Sequence, residues 1–259
     1  MYRGGRQLNR KIDIDLFDFP TREEMLPLLK ESPLYGYNLK MEVFERHDLR
    51  YLHQIFDYPI TVSDLRVSLN NRIFQANLSY AYVSFYFRRG IPDELDSLMD
   101  LTNKQFTNRM HFQHHTDAFF QRAFTALDLL GQIIFHYYDL NKNNKRKTSP
   151  SFKQLVDILY KKDKELSKKL SEIRDSDEFT DASQVRNDII HNNPPYNAHM
   201  GREKDLNGVT AFGTQYFSSR KVMEIMENLI RVVRRIFEVV ETHIQNKKQK
   251  QLVEKQINI

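Results

Sequence analysis

Hydrophobic side chains recur every three or four residues along most of the chain, which is the period of an amphipathic helix. The eight prolines leave the runs 93–149, 151–193 and 196–259 free of proline, and proline normally marks where helices start and stop. We therefore predict helices over the following approximate ranges: 21–30, 39–56, 61–88, 103–140, 151–174, 182–192 and 219 into the 240s. The pattern also predicts an exposed loop over 141–150 and an irregular stretch over 194–218.

The predicted helix over 103–140 is apolar around most of its circumference and carries one narrow polar stripe. On a helical wheel the stripe spans an arc of roughly 80°, and it consists of His114, Asp117, Gln121, Thr125, Asp128, Gln132 and His136. A helix that is apolar on most sides lies centrally in its domain. The stripe therefore faces either solvent, in a groove of the helix bundle, or a polar site, and the sequence leaves both open.

Composition favours an all-α fold and excludes several kinds of site. Glycine and proline number eight each in 259 residues, about half the usual combined share of ~12%. Cysteine is absent, which excludes disulfide scaffolds, thiolate metal sites and cysteine nucleophiles. The net charge of +5 is only a mild bias toward polyanionic partners. We find neither an apolar run long enough to span a membrane nor a signal peptide, and we expect a cytoplasmic protein.

A short polar helix in the C-terminal part of the chain carries the candidate chemistry. It is predicted over 182–192, where it begins at a capping box formed by Asp181 and Gln184. It must end before Pro194, because a proline disfavours helical geometry at the residue preceding it.

Three polar side chains of this helix are expected to converge on one point. Asn187 and His191 are four residues apart and share a face, and the long side chain of Arg186 can reach the same place. His191 is in the last helical turn, where the helix dipole favours a cation and the ring can protrude into a pocket. An imidazole beside a guanidinium suits phosphodiester chemistry, because the imidazole moves protons while the fixed cation stabilises charge on phosphate oxygens.

Arg186 and His191 resemble the R-x4-6-H motif of the HEPN superfamily, a group of all-helical domains. Many of its members are metal-independent endoribonucleases of toxin–antitoxin, CRISPR and antiviral systems. The family places a polar residue directly after the arginine, and Asn187 fits that pattern. The resemblance covers roughly residues 103–247. It implies an all-α HEPN-type bundle over 103–259, with an additional N-terminal helical region, 1–102, packed on it.

The resemblance also implies a reaction and a role for each residue of the motif. The 2′-hydroxyl of RNA would attack the adjacent phosphate and leave a 2′,3′-cyclic phosphate end, without a metal or other cofactor. His191 would be the acid or base, Arg186 would hold the phosphate, and Asn187 would orient the substrate or the histidine. Many family members add a polar residue from a preceding helix, and the stripe offers three candidates: Asp117, Gln121 and Asp128.

The same resemblance implies partners for the protein. RNA would be the substrate, and two copies of the motif would face each other across a homodimer to form one composite cleft. A toxin or antiviral defence role would bring with it a cognate antitoxin protein. The exposed loop contains a run of cations that suits RNA binding, although such a run is more often a solvated connector. This basic loop cluster consists of Lys142, Lys145, Arg146 and Lys147.

Other stretches of the chain match the bare spacing of the motif. Arg46 precedes His53 by seven residues, and Arg109 precedes His114 by five and His115 by six. Arg186 differs from both arginines because it lies on a short capped helix, after a long helix pair and before a closing helix. His111 and His114, with their neighbours His115 and Asp117, raise a metal site as an alternative, but no further ligand is indicated.

Two functions of other classes remain open beside the nuclease. The first is a catalytically silent HEPN-type module that binds RNA, a nucleotide or a partner protein, because many members of the superfamily bind without cutting. The second is a helical scaffold that has no contact with nucleic acid. Cleavage of RNA in the presence of a chelator would separate the enzyme from both alternatives.

Overall fold

The computed structural model describes residues 15, 17–44, 52–140, 150–204 and 210–257. The helices of this part of the chain are α1 (Arg22–Glu31), α2 (Leu52–Arg88), α3 (Asn103–Tyr137), α4 (Phe152–Leu159), α5 (Lys164–Arg174), α6 (Asp177–His191) and α7 (Ser219–Ile257). Short 3₁₀ turns cover Met41–Phe44 and Asp96–Met99, and a hairpin of β1 (His199–Lys204) and β2 (Thr210–Gln215) precedes α7. The predicted all-α bundle is confirmed.

Capping boxes explain why two of the helices begin where they do. Thr21 and Glu24 exchange side-chain and backbone hydrogen bonds at the start of α1, and Thr102 and Gln105 do the same at the start of α3. Each pair satisfies two of the N–H groups that a helix start leaves unpaired. The sequence predicts both helix starts to within one residue.

Helices α2 and α3 form a long antiparallel pair at the centre of the molecule. Their contacts run in opposite chain directions: Arg122 of α3 donates to Ser79 of α2, while the ring of His115 stacks on Tyr82 further along α2. Phe119 and Phe120 of α3 are fully buried, as are Leu229 and Ile236 of α7. The hydrophobic face of α7 therefore joins the pair in one core, and α3 is central as its apolar circumference predicts.

Two predicted helix boundaries near Pro59 are wrong. The predicted helix over 39–56 is replaced by the 3₁₀ turn Met41–Phe44 and by the first residues of α2, with residues 45–51 lying outside the described part of the chain. Helix α2 starts at Leu52 and continues through Pro59. A proline removes one backbone donor, and a helix of 37 residues keeps its other hydrogen bonds.

The predicted helix over 151–174 is two helices, because a buried aspartate starts the second one. Asp163 is the N-cap of α5 and accepts a hydrogen bond of 3.0 Å from the Leu166 N–H. The chain turns between α4 and α5 without glycine or proline, so the signals that predict breaks do not mark this one.

Helix α6 and the segment after it also differ from prediction. The N-cap of α6 is Ser176, not Asp181, and the Gln184 amide donates to Asp188 instead of closing a capping box. The stretch 194–218, predicted to be irregular, contains the antiparallel hairpin, in which Gly201 pairs with Gly213. Its strands lack the alternation of polar and apolar residues that identifies a half-buried strand. In the described part of the chain no helix is both long enough and apolar enough to cross a membrane.

Candidate functional site

The C-terminal end of α6 presents the motif at the surface. Phe179, Ala182 and Val185 bury one side of the helix, which fixes its orientation against the core. His191 occupies the last residue of α6 and is exposed. The helix dipole favours a positive charge at this end of α6.

Arg186 is half-buried and is held by its neighbour in the sequence. Its Nη1 donates to Asn187 Oδ1 at 3.2 Å, and its Nε is buried with no hydrogen-bond partner in the described part of the chain. A buried donor without a partner is uncommon, because leaving it unpaired costs about 1–3 kcal/mol. The structure therefore positions the guanidinium through Asn187 and leaves hydrogen-bonding capacity unused.

Asp128 connects the polar stripe of α3 to the motif. Its Oδ1 accepts a 2.8 Å hydrogen bond from the backbone N–H of Phe152, the first residue of α4. Burial raises the pKa of Asp128, while that hydrogen bond and the positive charge of Arg186 lower it by less. The carboxylate thus ties α3 to α4 and lies within electrostatic range of Arg186.

Asp117 anchors the segment that follows the motif. The hydroxyl of Tyr196, a residue only 5% exposed, donates to Asp117 Oδ1, and Arg109 Nη2 donates to the Tyr196 carbonyl at 3.0 Å. Burial raises the pKa of the Asp117 carboxyl, and the Tyr196 hydrogen bond opposes that shift. The chain five residues beyond His191 is therefore fixed against α3.

The sequence leaves open whether the polar stripe of α3 faces solvent or a polar site, and the structure shows that different residues of the stripe do each. Asp128 lies near Arg186, and Asp117 holds the segment after His191. Gln121 is exposed, and apart from the backbone bonds of α3 the described residues show only a local one, from the Thr125 hydroxyl to the Gln121 carbonyl at 2.7 Å. The stripe is a solvent-facing groove in its middle and a polar contact surface at these two aspartates.

The competing matches to the motif have structural roles where the structure describes them. Arg109 donates from Nη2 to the Tyr196 carbonyl and lies over the Tyr216 ring at 5.9 Å, although its Nη1, like Arg186 Nε, is buried without a partner in the described residues. The ring of His111 stacks on Tyr86 and that of His115 on Tyr82, with centroid distances of 4.7 and 4.3 Å. Arg46 and the basic loop cluster lie outside the described residues, as does the side chain of His53.

The histidines of α3 do not form the alternative metal site. Burial, together with the neighbouring histidines, lowers the pKa of His115 to about 4, so its ring is neutral at pH 7. Within the described ranges, no three His, Cys, Asp or Glu side chains lie close enough together to hold a metal ion.

Sequence reasoning missed two residues beside the motif, Tyr196 and Lys153. Tyr196 follows the second of two consecutive prolines, a weak signal for a fixed turn, but its partner Asp117 is 79 residues away in the chain. Lys153 lies in the first turn of α4, and its Nζ donates to Ser183 Oγ of α6 at 2.6 Å. Both contacts join elements that are distant in sequence, so neither follows from local spacing.

The arrangement can bind and polarise a phosphate group. Arg186 offers unused donors, Asn187 keeps the guanidinium in place, and the exposed imidazole of His191 is one helical turn away on the same helix. An imidazole at that position can accept or donate a proton at a phosphodiester while the fixed cation stabilises negative charge.

Comparison with known proteins gives one finding about the family. A family model described as Cthe2314-like HEPN matches residues 66–247. The matched range takes in most of α2, all of α3 to α6 and most of α7, and it includes the motif on α6. The chain has no significant match among curated proteins or among solved structures.

Proposed function

Because the chain belongs to the Cthe2314-like HEPN family, whose fold suggests a nuclease-type or RNA-binding module, we propose that it is a metal-independent endoribonuclease. The observation that carries this proposal is the pairing of Arg186 with Asn187 one turn before an exposed His191. The guanidinium is held in place, yet its Nε has no partner in the described part of the chain. Such an arrangement favours an anionic ligand over a purely structural role.

The proposed reaction is an internal transfer at phosphorus. The 2′-oxygen of a ribose forms a bond to the adjacent phosphorus, the bond from phosphorus to the 5′-oxygen of the next nucleotide breaks, and a 2′,3′-cyclic phosphate and a 5′-hydroxyl result. His191 removes the proton from the 2′-hydroxyl or gives one to the leaving oxygen. Arg186 binds the nonbridging oxygens, whose charge grows in the transition state, and Asn187 orients the guanidinium.

We also propose the assembly and biological setting that fit this reaction. Two copies of the motif would form a composite cleft in a cytoplasmic homodimer, so that one histidine can act as base and the other as acid. Asp117 and Asp128 would support the site from α3 by holding the segment after His191 and the region around Arg186. A toxin or antiviral role would require a cognate antitoxin protein to restrain the activity.

Replacement of His191 by alanine tests the proposal. We expect the substitution to reduce cleavage of single-stranded RNA by about 10²–10⁴ and to leave the fold unchanged, because the ring is exposed at a helix end. The matched control is His114→Ala, which removes another exposed histidine and one of the competing matches to the motif. Gel analysis of end-labelled RNA after incubation with each protein gives the rates.

The same assay tests the reaction chemistry. EDTA should leave the rate unchanged, whereas DNA and RNA methylated at the 2′-oxygen should resist cleavage because the nucleophile is missing. Equal cleavage by wild type and His191→Ala would contradict the assignment of the site, and cleavage of DNA at a comparable rate would exclude the cyclic-phosphate reaction. Salt-sensitive RNA binding without cleavage would select the catalytically silent module instead.

A further inference from the structure

A second cation is fixed beside the motif. Lys153 is exposed on the first turn of α4, and its Nζ donates to Ser183 Oγ at 2.6 Å. The same ammonium lies 5.7 Å from the centre of the Phe179 ring, which is buried beneath it. A lysine side chain is normally free to move, and these two contacts with α6 hold this one over a defined place.

The contacts of Lys153 put it about one helical turn from Arg186. Ser183 is three residues before Arg186 on α6, so the two residues are neighbours on one face, separated by roughly one turn of about 5.4 Å. A second connection gives the same location. The residue before Lys153, Phe152, is hydrogen-bonded to Asp128, whose pKa responds to the charge of Arg186.

The positive charge of Lys153 is not neutralised by an ion pair within the described residues. The nearby carboxylates of Asp157 and Asp175 both pair with Arg174, at 2.6 and 2.8 Å, and Asp175 also lies within electrostatic range of Lys153. An ammonium group has three donors, and Ser183 takes one of them. Lys153 therefore keeps donors for a ligand on the same side of α6 as the guanidinium of Arg186.

We propose that Lys153 binds the phosphate next to the one held by Arg186 in a single strand of RNA, an inference that rests on the proposed function. A strand carries one phosphate per nucleotide, so two fixed cations about one turn apart suit two consecutive phosphates. An isolated phosphate or a mononucleotide would engage only one of the two cations. Lys153 is thus a substrate-binding residue that sets the strand in register with His191, and it takes no part in proton transfer.

Binding of uncleavable RNA tests this role separately from catalysis. Fluorescence anisotropy would measure the affinity of a labelled, 2′-O-methylated single strand for wild type and Lys153→Gln across a salt series. Removing one phosphate contact should weaken binding severalfold and flatten the slope of log affinity against log salt by about 0.7. Lys30→Gln, which makes the same change at the exposed end of α1, should leave affinity and slope unchanged.

Two further measurements separate charge from local packing. Lys153→Arg keeps the charge and should retain the salt slope of wild type, and thermal melting would show whether each variant is folded. With cleavable RNA, Lys153→Gln should raise KM and leave kcat within about twofold to threefold, because binding and proton transfer are assigned to different residues. A variant that lost kcat at saturating RNA would place Lys153 in the chemistry, contrary to the proposal.

The outcomes distinguish this inference from the proposed function. If wild type cleaves RNA and Lys153→Gln matches it in salt slope and KM, the role of Lys153 is refuted while the nuclease stands. If wild type binds the strand but does not cleave it, the nuclease is refuted, and a reduced slope for Lys153→Gln still supports the phosphate contact. Wild type that does not bind single-stranded RNA overturns both.

Discussion

Replacing Tyr196 by phenylalanine removes one oxygen atom and should destabilise the protein in a pH-dependent way. The hydroxyl donates to the Asp117 carboxylate, and the tyrosine is only 5% exposed, so water cannot easily take its place. A hydrogen bond to a charged group contributes about 1.5–3 kcal/mol. We expect the free energy of unfolding at neutral pH to fall by that amount.

The sign of the pH dependence follows from the burial of Asp117. Burial raises its pKa in the folded protein above the usual value of 3.8, and the Tyr196 hydrogen bond opposes the shift. The folded state therefore favours the protonated carboxyl more than the unfolded state does, and more strongly still without the hydroxyl. The difference in stability between wild type and Tyr196→Phe should be largest at neutral pH and should shrink as the pH falls and Asp117 becomes protonated.

Urea denaturation at several pH values, followed by circular dichroism, measures both quantities. Asp117→Asn and the double variant complete a cycle, in which we expect a coupling energy between the two positions of about 0.5–3 kcal/mol. Tyr35→Phe, at a tyrosine that is 47% exposed, is the control and should change stability by less than about 0.5 kcal/mol. A Tyr196→Phe protein as stable as wild type at neutral pH, or a difference that grows on acidification, would refute the reasoning.

Two other parts of the chain give separate predictions. Asp163 is buried, and although burial raises its pKa, hydrogen bonds from Lys247, the Leu166 N–H, His243 and Tyr138 together lower it well below 3.8. Asp163→Ala should therefore lower the free energy of unfolding, measured by urea denaturation at neutral pH, by about 3–5 kcal/mol. The difference from wild type should become smaller as the pH falls below the usual pKa of aspartate. An unchanged urea midpoint would contradict this prediction. Replacing the four residues of the basic loop cluster by serine should flatten the slope of log affinity for RNA against log salt by up to about 0.7 per lost contact and leave kcat unchanged. An unchanged slope in fluorescence anisotropy would show that the loop is a solvated connector.

The elements that local signals define were predictable from the sequence. The starts of α1 and α3 follow from capping boxes, and the central place of α3 follows from its apolar circumference. The break at Asp163 was not predictable in the same way. That residue starts α5 as its N-cap, and its carboxylate accepts from Tyr138, just after α3, and from His243 and Lys247 of α7, which are far away in the sequence.

In the candidate site, too, positions along a helix were predictable from the sequence, whereas contacts between distant elements were not. Spacing alone puts Asn187 and His191 on one face of a short helix, and the structure places both on α6 with Arg186 hydrogen-bonded to Asn187. The positions of Asp117 and Asp128 on the stripe could be predicted, but their partners could not. Each aspartate contacts an element packed against α3 by tertiary folding, and helical periodicity carries no information about which element that is.

The carboxylates near the motif accept hydrogen bonds from groups other than Arg186. Asp188, one turn before His191, accepts hydrogen bonds from the side-chain amides of Gln184 and Asn192. Asp117 and Asp128 are likewise occupied, by a tyrosine hydroxyl and a backbone N–H. A guanidinium tends to pair with the nearest free carboxylate, yet no ion pair to Arg186 occurs within the described residues. Neutral donors contact the local acids, and in the proposed function the positive charge of Arg186 is available to an RNA phosphate.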